Sequence, residues 1–337
     1  MDEKYFSIKF SNGKLIFLDQ TKLPLEEVYV ETDDYNRIAS AIERLEMRGA
    51  PLIGVAACYG LALSLKNSDR KSFEESFYKA YDRLSRTRPT AVNLFTALRQ
   101  VKEVFEQNKD SEDIYEIVLT KAKDFHQEDI DKCKSIGDKG SKIFRKKSNV
   151  LTHCNTGKLA TAGDGTAFSV IKNGYERGLV EHVFADETRP LLQGLRLTSY
   201  ELERSGIPFS LQSDSSAAVL MQKGKIDLVI TGADRIALNG DSANKIGTYN
   251  LAVLCNFHNI PFYIAAPTTT IDRNIASGLE IEIEFRYPDE LLSIDGHRIA
   301  PEHYKAFTPA FDVTPAHLIS GIITEEGIFN FPYNFLK

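Results

Sequence analysis

From Ser148 onward, short β-branched runs alternate with helical segments, and this alternation limits the possible folds more than any other feature. Strands are expected at 149–153, 182–185, 209–212, 227–231 and 261–265. Helices are expected near 166–173, 190–205, 215–223 and 244–258. Such a βαβα sequence predicts an α/β fold with a doubly wound parallel sheet and right-handed crossovers. The usual strand order is then 3-2-1-4-5. Ligands bind beyond the carboxyl ends of strands 1 and 4, where the order reverses. Cys154 directly follows the first strand, and Asp234 lies three residues beyond the fourth. Although 80 residues apart in sequence, the two should face each other across that crevice.

The preceding half reads differently. Two β-rich runs, "FSIKF" and "LIFLDQ", flank Asn12-Gly13, a strong hairpin signal. From Asp33 to about Lys147 apolar residues recur at helical spacing, as in "YNRIASAIERLEM" and "DIYEIVLTKAKDF". The stretch 111–147 is charged enough to be a connecting helical arm. With 337 residues, the chain is long enough for two domains. The boundaries expected are 1–115, an arm at 116–147, and 148–337.

Several function classes are disfavoured. The net charge is −6, and the densest basic run, "KIFRKK" at 142–147, reads as a solvated helix end, so no nucleic-acid partner is expected. The longest apolar stretch, 50–64, is broken by Gly54, Tyr59 and Gly60 and is too short for a bilayer. The four cysteines show no C-x-x-C spacing and the histidines no H-x-x-x-H, so no metal site is expected. With no secretory signal in "MDEKYFSIKF", a cytoplasmic protein with reduced thiols is expected.

A lone cysteine is ordinarily a small buried hydrophobe, and Cys58, Cys133 and Cys255 sit in apolar helical contexts that fit this reading. Cys154 differs. It ends a strand at a glycine-rich loop before a helix, where a thiol can become more reactive. His153 beside it is read as structural, because consecutive strand residues point to opposite faces. Asp234 has an ordinary reading as a turn former. Its place opposite Cys154, beside an apolar wall, argues for a buried acid or base. A nucleotide reading of the same loop is weaker. "GKLAT" lacks the P-loop hydroxyl after its lysine, and "GDGTAF" puts Phe168 where a third glycine belongs, although Asp186 stands where a ribose-binding acid would.

Arg48, Arg88 and Arg189 each precede a proline or a Pro-containing helix start, where free N–H groups attract anions. Arg48 and Arg88 belong to the helical region, so a phosphorylated or carboxylated substrate could be clamped between the domains. In "NGDSANKIGTY", Lys245 suits a phosphate and Asn244 suits hydroxyls, with the plain alternative that both open a polar helix capped by Asp241.

At these segments the sequence resembles the methylthioribose-1-phosphate isomerase family. That family is related to the regulatory α, β and δ subunits of the initiation-factor guanine-exchange complex and to ribose-1,5-bisphosphate isomerases. The resemblance is carried by "RGAPLIGVAACYGLAL", "SRTRPTAVNL", "LTHCNTGKLATAGDGTAFSVI", "ADETRPLLQGLRLTSYEL", "GADRIALNGDSANKIGTYNLAVL", "IPFYIAAPTTTID" and "PAFDVTPAHLISGIITEEG". It implies that Cys154 and Asp234 are the catalytic pair. It implies substrate contacts from Arg48, Gly49, Ala50, Arg88, Gln193, Asn244 and Lys245. It also implies a helical N-terminal domain with a small sheet, a Rossmann-like C-terminal domain, a homodimer, and no metal or other cofactor. The reaction implied is conversion of 5-methylthioribose 1-phosphate to 5-methylthioribulose 1-phosphate in methionine salvage. The Cys–Asp pair favours an isomerase over a non-catalytic regulatory subunit. The sequence departs from the family pattern at Lys158, where a small residue is expected, and at Asp164, where a tyrosine is expected. It departs again in "IEFRYPDE" at 283–290, in place of "EER". These departures keep open a relative acting on 5-deoxyribose 1-phosphate or ribose 1,5-bisphosphate.

Overall fold

Asn12 and Gly13 both adopt positive φ, 51° and 70°, and so turn β1 (Ile8–Ser11) tightly into β2 (Lys14–Leu18). These elements come from a computed structural model, which describes residues 5–66, 68–88, 92–294 and 296–335. The hairpin expected at Asn12-Gly13 is therefore present. β3 (Tyr29–Thr32) completes a three-stranded antiparallel sheet. Five helices follow: α1 (Tyr35–Glu43), α2 (Ala50–Lys66), α3 (Phe73–Ser85), α4 (Val92–Asn108) and α5 (Ile114–Gly140). The Asp34 side chain caps α1 by accepting from the Asn36 N–H at 2.8 Å. α2 is buried from Leu52 to Leu65 with apolar residues on every side. A helix apolar all round belongs at the centre of a core, and α1, α3 and α4 pack about it.

The second half contains, in order, β4 (Ser148–Thr152), α6 (Ala167–Glu176), β5 (Val180–Asp186), α7 (Ser199–Ser205), β6 (Phe209–Gln212), α8 (Ala217–Gln222), β7 (Leu228–Thr231), β8 (Arg235–Ala237), β9 (Ser242–Lys245), α9 (Thr248–His258) and β10 (Phe262–Ala265). It continues with β11 (Ile271–Asp272), α10 (Asp289–Leu292), β12 (Ser293–Ile294), β13 (His297–Arg298), β14 (Phe311–Thr314), β15 (Gly321–Ile323) and β16 (Ile328–Phe329). The main sheet has the order β16-β15-β10-β7-β4-β5-β6. All neighbours run parallel except β15 and β16. The five strands expected from sequence therefore lie in the expected order, with β4 and β7 adjacent at the reversal. Val150 packs in the core on one face and Leu151 in the core on the other, as the period of two requires. Both are fully buried, as in an interior parallel strand.

Four short strands, β11-β8-β9-β14, form a second sheet that the sequence pattern does not announce. This corrects the expected helix at 244–258. Asn244 and Lys245 end β9, paired with Asp312 and Phe311 of β14, and α9 starts at Thr248 after Gly247 at φ 105°. Long-range pairing outweighs the local helix-start signal. Asp241 does not cap that helix. Its carboxylate accepts from the Ala316 and Gly278 N–H groups at 2.8 and 2.9 Å. The helix expected from Pro190 starts instead with a π-turn at Gly194–Thr198, running into α7.

The chain divides into two compact units. One is Met1–Lys134 with Gly157–Gly165, and the other is Ser135–Thr156 with Thr166–Lys337. The glycine-rich segment after Cys154 thus belongs to the first unit. It is held there by Gln20 Nε2 donating to Leu159 O (2.7 Å), Ser7 Oγ donating to Thr161 O (2.9 Å) and the Ala162 N–H donating to Asp129 Oδ2 (2.7 Å). Among the described residues no helix is long and apolar enough to cross a membrane.

Candidate active site

Cys154 stands just beyond the carboxyl end of β4, buried, in a left-handed conformation with φ 62°. A non-glycine residue held there costs about 1–3 kcal/mol and persists only where its surroundings fix it. Two threonines do so. The Cys154 N–H donates to Thr188 Oγ1 at 2.9 Å, and Thr198 Oγ1 donates to Cys154 O at 2.6 Å. Thr188, at φ 64°, is placed in turn by its own N–H donating to Asp214 Oδ1 at 2.7 Å. The next residue, Asn155, donates through Nδ2 to the fully buried Glu201 carboxylate. The loops after β4 and β5 therefore form one hydrogen-bonded unit around the thiol. Elsewhere in the chain, burial pushes the Cys58 and Cys133 thiols well up and Cys255 up to about 12. This is the chemistry of inert core cysteines.

Asp234 lies in the loop from β7 to β8, its N–H donating to Ala243 O at 2.9 Å. The loops carrying Cys154 and Asp234 run closely together. Added to Gly232, a Cβ would come within 2.7 Å of Thr156 Cγ2. The Asp234 side chain is exposed, which corrects the expectation of a buried carboxyl. Its backbone leads directly into the β8–β9 hairpin, in which Arg235 pairs with Ala243.

Gln193 is buried, and its Oε1 has no hydrogen-bond partner among the described residues. A buried unpaired amide oxygen costs about 1–3 kcal/mol, so this acceptor suits a donor brought by a ligand. The neighbouring glycine is required sterically, since a Cβ on Gly194 would fall on Asp186 O. Asn244 is buried and donates through Nδ2 to Thr248 Oγ1 at 2.9 Å. Lys245 places its ammonium 4.4 Å from the Phe311 ring centroid.

His153 is fully buried, with a partner at each ring nitrogen. Its Nδ1 lies 2.9 Å from Asp186 Oδ2, and its Nε2 lies 2.9 Å from Ile246 O. Gln212 Nε2 donates to the other Asp186 oxygen at 2.7 Å. Burial works to lower the His153 pKa, but the Asp186 hydrogen bond and charge outweigh it and the net direction is upward. Burial raises Asp186 as well, against hydrogen bonds from His153 and Gln212. Together the pair grips its proton more firmly than either group would alone. Sequence spacing does not show this partnership, because the two residues meet only through the adjacency of β4 and β5.

In the first unit, Arg48, Gly49 and Ala50 form the entry to α2, all half-buried. Gly49 has φ 90°, and a Cβ there would strike Ala160 of the glycine-rich segment. A glycine is needed at this position on both counts. Arg88 is half-buried after α3; Pro89, the helix start read beside it, lies outside the described residues. Arg189 is not at a helix N-terminus. Its guanidinium donates to Pro190 O and Leu291 O at 3.1 and 2.9 Å. Lys158 and Asp164, the two departures, pair with each other at 3.5 Å, and Lys158 lies 5.6 Å from the Tyr5 ring centroid. In the third departure, Arg286 bridges Glu284 and Glu290 at 2.8 and 2.5 Å.

Comparisons with known proteins agree across the chain. Residues 46–331 match the Initiation factor 2 subunit family. A protein named methylthioribose-1-phosphate isomerase from Caldicellulosiruptor saccharolyticus is 50% identical over 328 residues, covering 96% of each chain. One of the same name from Thermotoga maritima is 49% identical over 333 residues, covering 99% of this chain and 97% of that protein. The crystal structure of 5-methylthioribose 1-phosphate isomerase from Pyrococcus horikoshii OT3 superposes with a TM-score of 0.93 at 41% identity, covering 97% of this chain and 93% of that one. The translation initiation factor eIF-2B subunit delta from A. fulgidus gives a TM-score of 0.89 at 39% identity, covering 98% and 97%.

Proposed function

The chain belongs to the Initiation factor 2 subunit family, and from its relatives at 49% and 50% identity we infer that it is a methylthioribose-1-phosphate isomerase. It converts the aldose 1-phosphate to 5-methylthioribulose 1-phosphate. The observation that carries this reading over a regulatory subunit is chemical. A buried thiol, fixed in a left-handed turn, stands just beyond the strand adjacent to the one that leads to an exposed aspartate.

The reaction moves a hydrogen from C2 to C1 while phosphate stays on the anomeric oxygen. The ring must therefore open with that phosphate in place. The C1–O4 bond breaks as the ring oxygen gains a proton, and the C2 hydroxyl gives up one as its carbon becomes a ketone, so protons balance. We assign both exchanges to Asp234, first as acid and then as base. Cys154 is assigned to the C2–C1 edge, as the carrier of the moving proton or as the wall along which a hydride passes. Arg48 and Arg88 are assigned to the phosphate, which guanidinium groups bind through paired hydrogen bonds. Gly49, Ala50, Gln193, Asn244 and Lys245 are assigned to substrate contacts. No metal or dinucleotide enters these steps.

A substrate panel tests the reading. Purified protein is expected to turn over 5-methylthioribose 1-phosphate with higher kcat/KM than 5-deoxyribose 1-phosphate or ribose 1,5-bisphosphate. A pocket rejects a missing apolar group by about 1–3 kcal/mol, or about 10–200-fold. Absence of turnover on all three sugars sinks the isomerase reading, and a preference for another of them reassigns the substrate.

A cytoplasmic homodimer with a role in methionine salvage completes the proposal. α9 exposes Tyr249, Val253 and Phe257 at four-residue spacing, an apolar stripe suited to a second copy of the chain. Light scattering is expected to give twice the chain mass of 37.8 kDa. A monomer mass at micromolar concentration removes the dimer.

A further inference from the structure

The His153–Asp186 pair is buried, touches three chain segments that carry site residues, and takes no part in the proton transfers assigned above. His153 immediately precedes Cys154. Asp186 ends β5, two residues before the Thr188 that holds the Cys154 N–H. Ile246, whose carbonyl meets Nε2, immediately follows Lys245. Gly247 lies against the same imidazole ring, where a Cβ would come within 2.9 Å of Cε1. We propose that His153 and Asp186 are positioning residues, and that their shared proton ties the thiol-bearing turn to the Asn244–Lys245 end of β9. This deepens the isomerase reading and rests on it for its kinetic consequences.

The hydrogen bonds define the protonation. A carbonyl oxygen only accepts, so Nε2 must carry a hydrogen to bond Ile246 O. Nδ1 faces a carboxylate oxygen, and that contact needs a second proton, which the more basic imidazole carries on Nδ1. Without it, a lone pair meets a carboxylate in a site closed to water, and the contact becomes repulsive. The other acids facing the ring act in the same direction. Asp214 lies near enough to raise the His153 pKa, with its two oxygens taken by the Thr188 and Arg189 N–H groups at 2.7 and 2.8 Å. Asp312, on β14, accepts from the Gly247 and Tyr249 N–H groups at 2.7 and 3.0 Å and senses the His153 charge. His153, Asp186 and Asp214 bring candidate ligand atoms within 4.8 Å of one another. Each carboxylate is already engaged by internal donors, so the cluster is a proton-holding network rather than a cation site.

The sign of the pH dependence follows. The His153 pKa is raised above 6.5, so the link is intact at that pH, is lost as pH rises through the raised value, and weakens in acid when Asp186 itself protonates. Asp186→Asn makes a sharp test. Its Nδ2 can donate to Nδ1 of a neutral ring, its Oδ1 can still accept from Gln212, and Nε2–H keeps Ile246 O. The geometry survives with no titrating proton. Asp186→Ala and His153→Leu lose the link outright.

The experiment measures kcat and KM from pH 6 to 10 for wild type and the three variants. It also follows imidazole ¹⁵N spectra, with the His153 signal assigned by its loss in His153→Leu. Expected results are a fall in kcat of at least a hundredfold for Asp186→Ala and His153→Leu, and a loss of at most tenfold for Asp186→Asn. The wild-type to Asn-variant ratio of kcat/KM should decline as pH rises, which cancels ionisations common to both proteins. Wild-type spectra should show both ring nitrogens protonated at pH 7, and Asn-variant spectra a neutral ring at all pH values. A wild-type His153 that titrates at 6.5 or below overturns the proposal whether or not the protein is an isomerase. So does a folded Asn variant as damaged as the Ala variant. Absence of turnover in wild type with the expected spectra rejects the isomerase reading and leaves the proton-holding pair standing.

Discussion

Cys154→Ser is expected to lower kcat by about 10²–10⁴-fold, the range for losing a positioned proton carrier, with KM changed little. Serine keeps the size of the side chain and both backbone hydrogen bonds, to Thr188 and from Thr198. What it loses is acidity, because a hydroxyl gives up its proton far less readily than a thiol. A circular dichroism melt should therefore overlay that of wild type, separating chemistry from folding. Substrate carrying deuterium at C2 sharpens the result. If Cys154 carries a proton, the label washes into solvent water during turnover. If the hydrogen passes as a hydride, the label stays on the product and the serine variant keeps more of its rate. Near-normal kcat in a folded Cys154→Ser protein removes the thiol from the reaction.

Asp234→Asn is the second large effect. The amide is isosteric but has no exchangeable acid proton and no basic oxygen of comparable strength. kcat should fall by about 10²–10⁴-fold. kcat/KM should fall equally, the signature of an interaction made only in the transition state. Because the side chain is exposed, stability should move by no more than about 0.5 kcal/mol. A variant that raises KM alone would recast Asp234 as a binding group. If both the serine and asparagine variants turn over normally, the catalytic pair must be sought elsewhere.

Much of the main sheet was legible because its strands are local signals. "NVLTH" and "DLVIT" have apolar, β-branched centres with polar ends, and parallel strands buried on both faces need little else. Their order follows from connection rules, so the adjacency of the Cys154 and Asp234 loops was also within reach. β9, with the sequence "SANK", was not. It is polar, short, and a strand only because β8 and β14 pair with it, the latter nearly 70 residues later in the chain. The cap-like run "NGDSANKIGTY" says helix, and tertiary pairing overrides it. The exposure of Asp234 was hidden for the same reason, since the hairpin it leads into includes that unannounced strand. The His153–Asp186 bond joins two strand ends whose local contexts say nothing of each other. Lys158 and Asp164 stood out singly as departures; only the fold shows that each answers the other's charge.

The division of the chain interleaves the making of its two units. The segment Gly157–Gly165 completes the first unit, although the ribosome makes it after the second unit has begun. Synthesis runs at about 5–20 residues per second. Throughout that interval the nascent first unit lacks the Leu159 carbonyl for Gln20, the Thr161 carbonyl for Ser7 and the Ala162 N–H for Asp129. A fragment cut at Lys134 would lack all three partners. The first unit therefore has all its contacts only once that segment has been made.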